Sequence, residues 1–111
     1  MKRGDIYFAD LNPTVGSEIY KKRPVLIVSN NANNKMSDTI TIVPLTSNTK
    51  KIYHFEVLIE THQSGLSKQS KAQCHQIRTI SKKRITDKMV GRVGQEIIEQ
   101  IENALKLHLA L

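Results

Sequence analysis

Lys21-Lys22-Arg23-Pro24-Val25-Leu26-Ile27-Val28-Ser29-Asn30 is the stretch that decides how this chain folds. Three cations run into a proline, and an unbroken apolar run, Val25 to Val28, follows. That run has the composition of a strand buried on both faces. Proline brings no N–H to a ladder, so Pro24 is expected at the first residue of a strand over 24–29. It also holds Arg23 in extended backbone. The stretch therefore predicts a guanidinium fixed at a loop mouth against a buried strand, a placement suited to phosphate chemistry.

Upstream, Asp5-Ile6-Tyr7-Phe8-Ala9-Asp10 alternates as a first strand over 5–10. The loop over 11–23 carries the turn signals Asn12-Pro13 and Gly16-Ser17 and is long for a small domain, as functional loops often are. Downstream, the asparagine-rich stretch 30–35 reads as a polar loop. A third strand is expected over 39–46, with Pro44 at a bulge or edge and Thr46 at its end. A fourth is expected over 53–59, with Phe55, Val57 and Ile59 on one face, followed by a loop over 60–68. Residues 70–80 read as one or two strands interrupted at Cys74-His75-Gln76, residues 81–84 as a basic 3₁₀ turn, and 85–93 as a last strand-like piece. From Gly94 to Leu111, Ile97, Ile101, Leu105 and Leu109 recur at helical spacing with Ile98 beside them. Several short strands and one terminal helix imply a single domain over 1–111, mainly β, folded as a small, partly open barrel of five to seven strands.

Seventeen Lys and Arg against ten Asp and Glu give a net charge of +7, which points to a polyanionic partner, nucleic acid first. With no tryptophan and 5% aromatic residues, base stacking is not expected to be the main mode of binding. No apolar run is long enough to cross a membrane, and the N-terminus carries no signal-peptide segment. A single cysteine excludes an internal disulfide and fits a cytoplasmic protein.

The side chains fit for chemistry fall at strand ends. Arg23 could stabilise a pentacoordinate phosphate, and equally fits a surface ion pair. Thr46, with Ser47 beside it, could donate a hydroxyl to a phosphate oxygen or cap a turn. His75 titrates near neutrality and could carry a proton, or be a partly exposed strand histidine. Gln76 and Arg78 share a face if their segment is extended, where they could hold a base edge and a phosphate. Lys21 and Lys22 add cations for substrate binding. Cys74 reads as a small buried hydrophobe. No histidine, cysteine or carboxylate spacing fits a metal, so neither metal nor cofactor is expected.

Taken together, the chain resembles the MazF/PemK family of toxin endoribonucleases. The matching pieces are Arg3-Gly4-Asp5-Ile6-Tyr7, Asn12-Pro13-Thr14-Val15-Gly16-Ser17-Glu18, Arg23-Pro24-Val25-Leu26-Ile27-Val28-Ser29-Asn30, Val43-Pro44-Leu45-Thr46 and Gln76-Ile77-Arg78-Thr79-Ile80, closed by the terminal helix. The resemblance implies an SH3-like barrel that forms a homodimer and cleaves single-stranded RNA, chiefly mRNA, at a short motif without a metal. It also implies a cognate antitoxin that blocks the site, with DNA contacted only through the antitoxin complex. The family's arginine and threonine map onto Arg23 and Thr46. His75 stands where members usually carry an acidic residue. The competing readings are a non-catalytic SH3-like nucleic-acid-binding module, a structural partner of an acidic protein, and a gyrase-directed toxin relative.

Overall fold

The computed structural model describes residues 1–19 and 21–111. Seven strands form the sheet: β1 (Asp5–Asp10), β2 (Lys22–Ile27), β3 (Thr39–Thr46), β4 (Glu56–Ile59), β5 (Ser70–Gln73), β6 (Arg78–Ser81) and β7 (Gly91–Arg92). Helices α1 (Asn31–Met36), α2 (Thr61–Ser64) and α3 (Gln95–Leu109) punctuate it. The strands run in the order β4-β5-β3-β2-β1-β7, with β6 also paired to β3. Every pairing is antiparallel.

Strand β3 is the hub. Its first half pairs with β6, from Thr39 opposite Ser81 to Ile42 opposite Arg78. Its end pairs with β5, where Leu45 faces Ala72 and Thr46 faces Lys71. Pro44, with no N–H to offer, falls in the gap between those two ladders, where the sheet bends to become a half-barrel. Alternation along the strands then fills two cores. Ile6, Leu26, Val43, Leu45, Val57 and Ile59 meet Ile97, Ile98, Ile101 and Ala104 of α3. On the other face, Ala9, Leu11, Val25, Ile27, Ile40, Ile42 and Ile80 close a second core with Ile19 of the 11–21 loop.

Pro24 is the third residue of β2, not the first. The strand starts at Lys22, paired with Asp10, and its second ladder, to β3, begins only at Val25. Pro24 thus precedes the point where both flanks are paired. The strand also stops at Ile27 and not Ser29, because the expected loop over 30–35 is largely the helix α1. Asn30 Oδ1 caps it by accepting from the Asn33 N–H at 2.8 Å, and buried Asn34 donates through Nδ2 to the Ser29 carbonyl at 2.8 Å. These side-chain bonds outweigh the weak helix propensity of asparagine. The expected loop over 60–68 contains the single turn α2, held by a capping box between Glu60 and Gln63. The ladder of β4 starts at Glu56, three residues later than the alternation from 53 implied. Of the strand-like piece 85–93, Gly91–Arg92 forms β7 and Ile85 a lone bridge to Ala9. The apolar stripe of α3 ends at Leu105, and Leu109 is exposed.

Gly91 lets β7 pass against α2. A Cβ at Gly91 would stand 2.2 Å from the Ser64 carbonyl oxygen, which is backbone and has nowhere to go. Gly91→Ala is expected to destabilise the fold by about 3 kcal/mol, at the upper end for overpacking. It would lower the urea midpoint at unchanged slope, and an unshifted midpoint would show that this contact is soft.

Candidate active site

Arg23 pairs with Ala9 on β1. The β2–β3 register runs from Ile27 opposite Ile42 to Val25 opposite Pro44, and continued two residues it sets Arg23 opposite Thr46. Thr46 faces Lys71 on β5, and Lys71 faces Leu58 on β4. Side chains directly opposite each other share a face, so Arg23, Thr46 and Lys71 form one row across the sheet. Ile42 opposite Arg78 places Arg78 on that same face. The 11–21 loop lies over this side, with Ile19 packed into its core.

The segment Cys74–Gln76 is a 3₁₀ turn that ends β5 and re-aims the chain into β6. Glu18, Ile19, His75, Gln76, Ile77 and Arg78 line a cleft of about 320 Å³ there. Two of the side chains expected to hold substrate brace the loop. Gln76 Oε1 accepts from the Ile19 N–H at 3.4 Å, its Nε2 donates to the Ser17 carbonyl at 3.5 Å, and Arg78 Nη1 donates to the Leu11 carbonyl at 3.4 Å. Arg84 likewise donates to the carbonyls of Asp10 and Asn12. The loop is therefore fastened at Leu11, Asn12, Ser17 and Ile19 to the segment 76–84.

His75 meets the edge of the Phe55 ring at 4.5 Å and stands 6.2 Å from His108. Its Nδ1 is buried with no hydrogen-bond partner among the described residues. Burial pushes its pKa below the ordinary 6.5, the nearby Glu56 carboxylate pulls it up, and His108 and Lys71 push it further down. The imidazole is neutral at pH 7 and able to accept a proton.

Lys22 and Ser47 lie elsewhere. With Arg23 they line a second cleft, of about 280 Å³, whose other walls include Phe8, Leu45, Leu66 and Lys68. Lys22 Nζ lies 2.6 Å from the Asp87 carboxylate, whose pKa that hydrogen bond holds below the usual carboxylate value. Lys21 is exposed, with a left-handed backbone at φ 71° that turns the loop into β2. Cys74 is buried, and burial first and Glu56 second push its thiol up to about 12, which keeps it protonated.

Glu18, Glu56 and Lys71 are site-lining groups that residue-by-residue reading missed. Glu18 accepts from the Val15 N–H at 2.6 Å and lines the His75 cleft. Its only sequence signal was its place in the quoted Gly16-Ser17-Glu18 turn. Glu56 and Lys71 form an ion pair at 3.0 Å with side chains 2% and 10% exposed. Charges inside two short strands were the available signal for that pair. Among the described residues, no group of three or more His, Cys, Asp or Glu side chains gathers as a metal site, and no helix is long and apolar enough to cross a membrane.

Solved structures identify the class. The bent sheet with its terminal helix has the fold of MazF from Deinococcus radiodurans, with a TM-score of 0.86 over 100% of this chain and 97% of that one at 22% identity. A mycobacterial endoribonuclease solved in complex with its cognate antitoxin matches at a TM-score of 0.82 and 28% identity, over 100% of this chain and 96% of that one. The class is thus the MazF-type SH3-like half-barrel. Within it, the chain belongs to the PemK-like, MazF-like toxins of type II toxin–antitoxin systems, whose family model matches residues 2–109. Among curated proteins, endoribonuclease MazF9 of Mycobacterium tuberculosis (strain ATCC 25618 / H37Rv) is 42% identical over 116 residues, spanning 100% of this chain and 98% of that protein.

Proposed function

We propose that this toxin is a metal-independent endoribonuclease that cuts single-stranded RNA, chiefly mRNA, at a short sequence motif. The reading rests on Arg23 and Thr46 at the adjoining ends of β2 and β3, and on His75 in a cleft with Glu18, Gln76 and Arg78. The protein works as a single cytoplasmic domain, paired as a homodimer, and is neutralised by a cognate antitoxin. An acidic antitoxin segment suits a chain of net charge +7, and DNA is met only through the toxin–antitoxin complex.

The chemistry follows from the residues. His75 takes the proton from a ribose 2′-OH, and that oxygen bonds to the adjacent phosphorus. The bond from phosphorus to the 5′-oxygen breaks, and the leaving oxygen takes a proton from solvent water. Arg23 stabilises the charge that builds on the phosphorane through its planar fork of donors, and Thr46 donates its hydroxyl to a phosphate oxygen. Glu56, whose carboxylate pulls the His75 pKa up, favours the imidazolium that forms on His75. Lys21, Lys22, Ser47, Gln76 and Arg78 hold the flanking strand, with Gln76 and Arg78 acting through the loop they brace.

The test is cleavage of a long, weakly structured RNA in EDTA, with the 5′ ends of the fragments mapped. Cuts at one short motif are expected, and an uncut RNA that still shifts on a gel would favour the binding-module reading. The same assay gives a pH profile. A base with a depressed pKa is protonated only in acid, so the rate is expected to fall below an inflection lying under pH 6.5. His75→Ala should slow cleavage and flatten that limb. A variant that keeps the limb would remove His75 from the proton path.

A further inference from the structure

The last turn of α3 has left the core, yet it still reaches the candidate site. Packing of α3 into the core stops at Leu105, and the residues after it are exposed. The turn is nevertheless held in shape. Ala110 takes a left-handed backbone at φ 59°, its N–H donates to the Leu107 carbonyl at 3.4 Å, and the Leu111 N–H donates to the Lys106 carbonyl at 2.9 Å. Those bonds close the helix end and fix the direction in which His108 leaves it.

That direction is toward His75. The two imidazoles stand 6.2 Å apart with their planes at 76°. Phe55 completes a triangle, 4.5 Å from His75 and 6.2 Å from His108, and stacks in turn on Tyr53 at 5.4 Å. The triangle matters because His75 Nδ1 is buried with no hydrogen-bond partner among the described residues. A working histidine is ordinarily aimed by a hydrogen bond on its second nitrogen. Around His75, neighbouring rings supply that constraint. The charged and titratable groups facing His75 are Glu56 from β4, Lys71 from β5, Glu18 and Arg78 across the cleft, and His108 from α3. Lys71 is tied to Glu56 at 3.0 Å. Two imidazolium rings at such a separation repel, so a proton on one disfavours a proton on the other.

Resting on the ribonuclease reading, we propose that His108 is a positioning residue for cleavage, acting through His75. With Phe55, its ring holds the His75 imidazole at the angle from which it meets the ribose 2′-OH. Its charge keeps His75 free of a proton, and so able to accept one. Burial and Lys71 push the His75 pKa in the same direction as His108, against Glu56. A base works unprotonated, so cleavage persists into more acid solution than it would without His108.

The test sets His108→Phe, a ring without a charge, against His108→Lys, a charge without a ring. NMR of the His75 ring carbons in the full chain follows its protonation with no substrate present, and His75→Gln assigns the signal. The His75 midpoint should rise in His108→Phe and should not rise in His108→Lys. Single-turnover cleavage of RNA, at a pH above the acid limb, should divide the other way. His108→Lys and His108→Ala should be slower by roughly 10- to 100-fold, approaching the cost of a misplaced catalytic group, and His108→Phe should recover most of that loss. The acid limb of His108→Phe should lie nearer neutral pH than that of the unaltered chain. An unmoved His75 midpoint in His108→Phe would overturn the proposal. So would His108→Ala cutting as fast as the unaltered chain above the limb. A rate that falls only as the protein separates into monomers on a sizing column would make His108 an interface residue and overturn it too. An unaltered protein that cuts no RNA, while its His75 midpoint still answers to His108, would overturn the ribonuclease reading itself and with it the role in cleavage.

Discussion

Arg23→Ala is expected to lower kcat for RNA cleavage roughly 100- to 1,000-fold, the usual cost of removing one donor to a developing oxyanion. The loss should fall mainly on kcat, because the charge that Arg23 meets grows in the transition state. KM should rise little, since the surrounding lysines still attract the phosphate backbone. Arg23→Lys should restore little activity. An ammonium supplies charge without the planar fork, and the extended backbone before Pro24 sets where the guanidinium points. Single-turnover cleavage of a short RNA gives the two parameters separately. Full cleavage by Arg23→Ala would show that the row across β2 and β3 is not where the chemistry occurs.

Lys71→Ala is expected to destabilise the protein by about 3–5 kcal/mol, the cost of breaking a buried pair from one side. Glu56 would keep its charge in a site where its side chain is 2% exposed, with the Tyr53 N–H at 3.0 Å as the donor left to it among the described residues. The Lys51 carbonyl, which accepts from Lys71 Nζ at 2.8 Å, would also lose its donor. Lys71→Met combined with Glu56→Leu should cost far less, because both charges leave together and apolar side chains fill the space. Urea unfolding of the two singles and the double closes the cycle. A cost below about 1 kcal/mol for Lys71→Ala would mean that water reaches Glu56, which a surface-like pair would allow. The pair also lies where the proposed chemistry is. It supports the 51–56 turn carrying Tyr53, and it shares the charge environment of His75.

Much of the barrel was legible residue by residue. The run Val25 to Val28 located the central strand, Pro44 located the break in β3, and the interruption at Cys74-His75-Gln76 located the turn between β5 and β6. The places where the reading failed share one cause. The asparagine-rich stretch 30–35 reads as loop because local propensity is all a short window offers. The helix there depends on Asn34 reaching Ser29 and on Lys82 donating to the Asn34 carbonyl at 2.6 Å from 48 residues away. Leu109 carried the helical period but not a place in the core, whose contacts with α3 stop at Leu105.

The candidate site divides in the same way. Sequence alone determined which side chains are fit for the proposed chemistry, Arg23, Thr46 and His75, and the family motifs around them, since side-chain type and spacing need no knowledge of the fold. Only tertiary structure decided which of them face one another. The fold gathers Lys22, Arg23 and Ser47 around one cleft and places His75 in another. The 3₁₀ turn before β6 puts His75 into a cleft with Glu18, and the β3–β5–β4 register buries Lys71 against Glu56 next to Thr46. Burial also set the state of the groups, leaving His75 neutral and the Cys74 thiol protonated. Those outcomes depend on contacts between residues far apart in the chain, where strand register and the loss of solvent, not the residue's own type, determine orientation and charge.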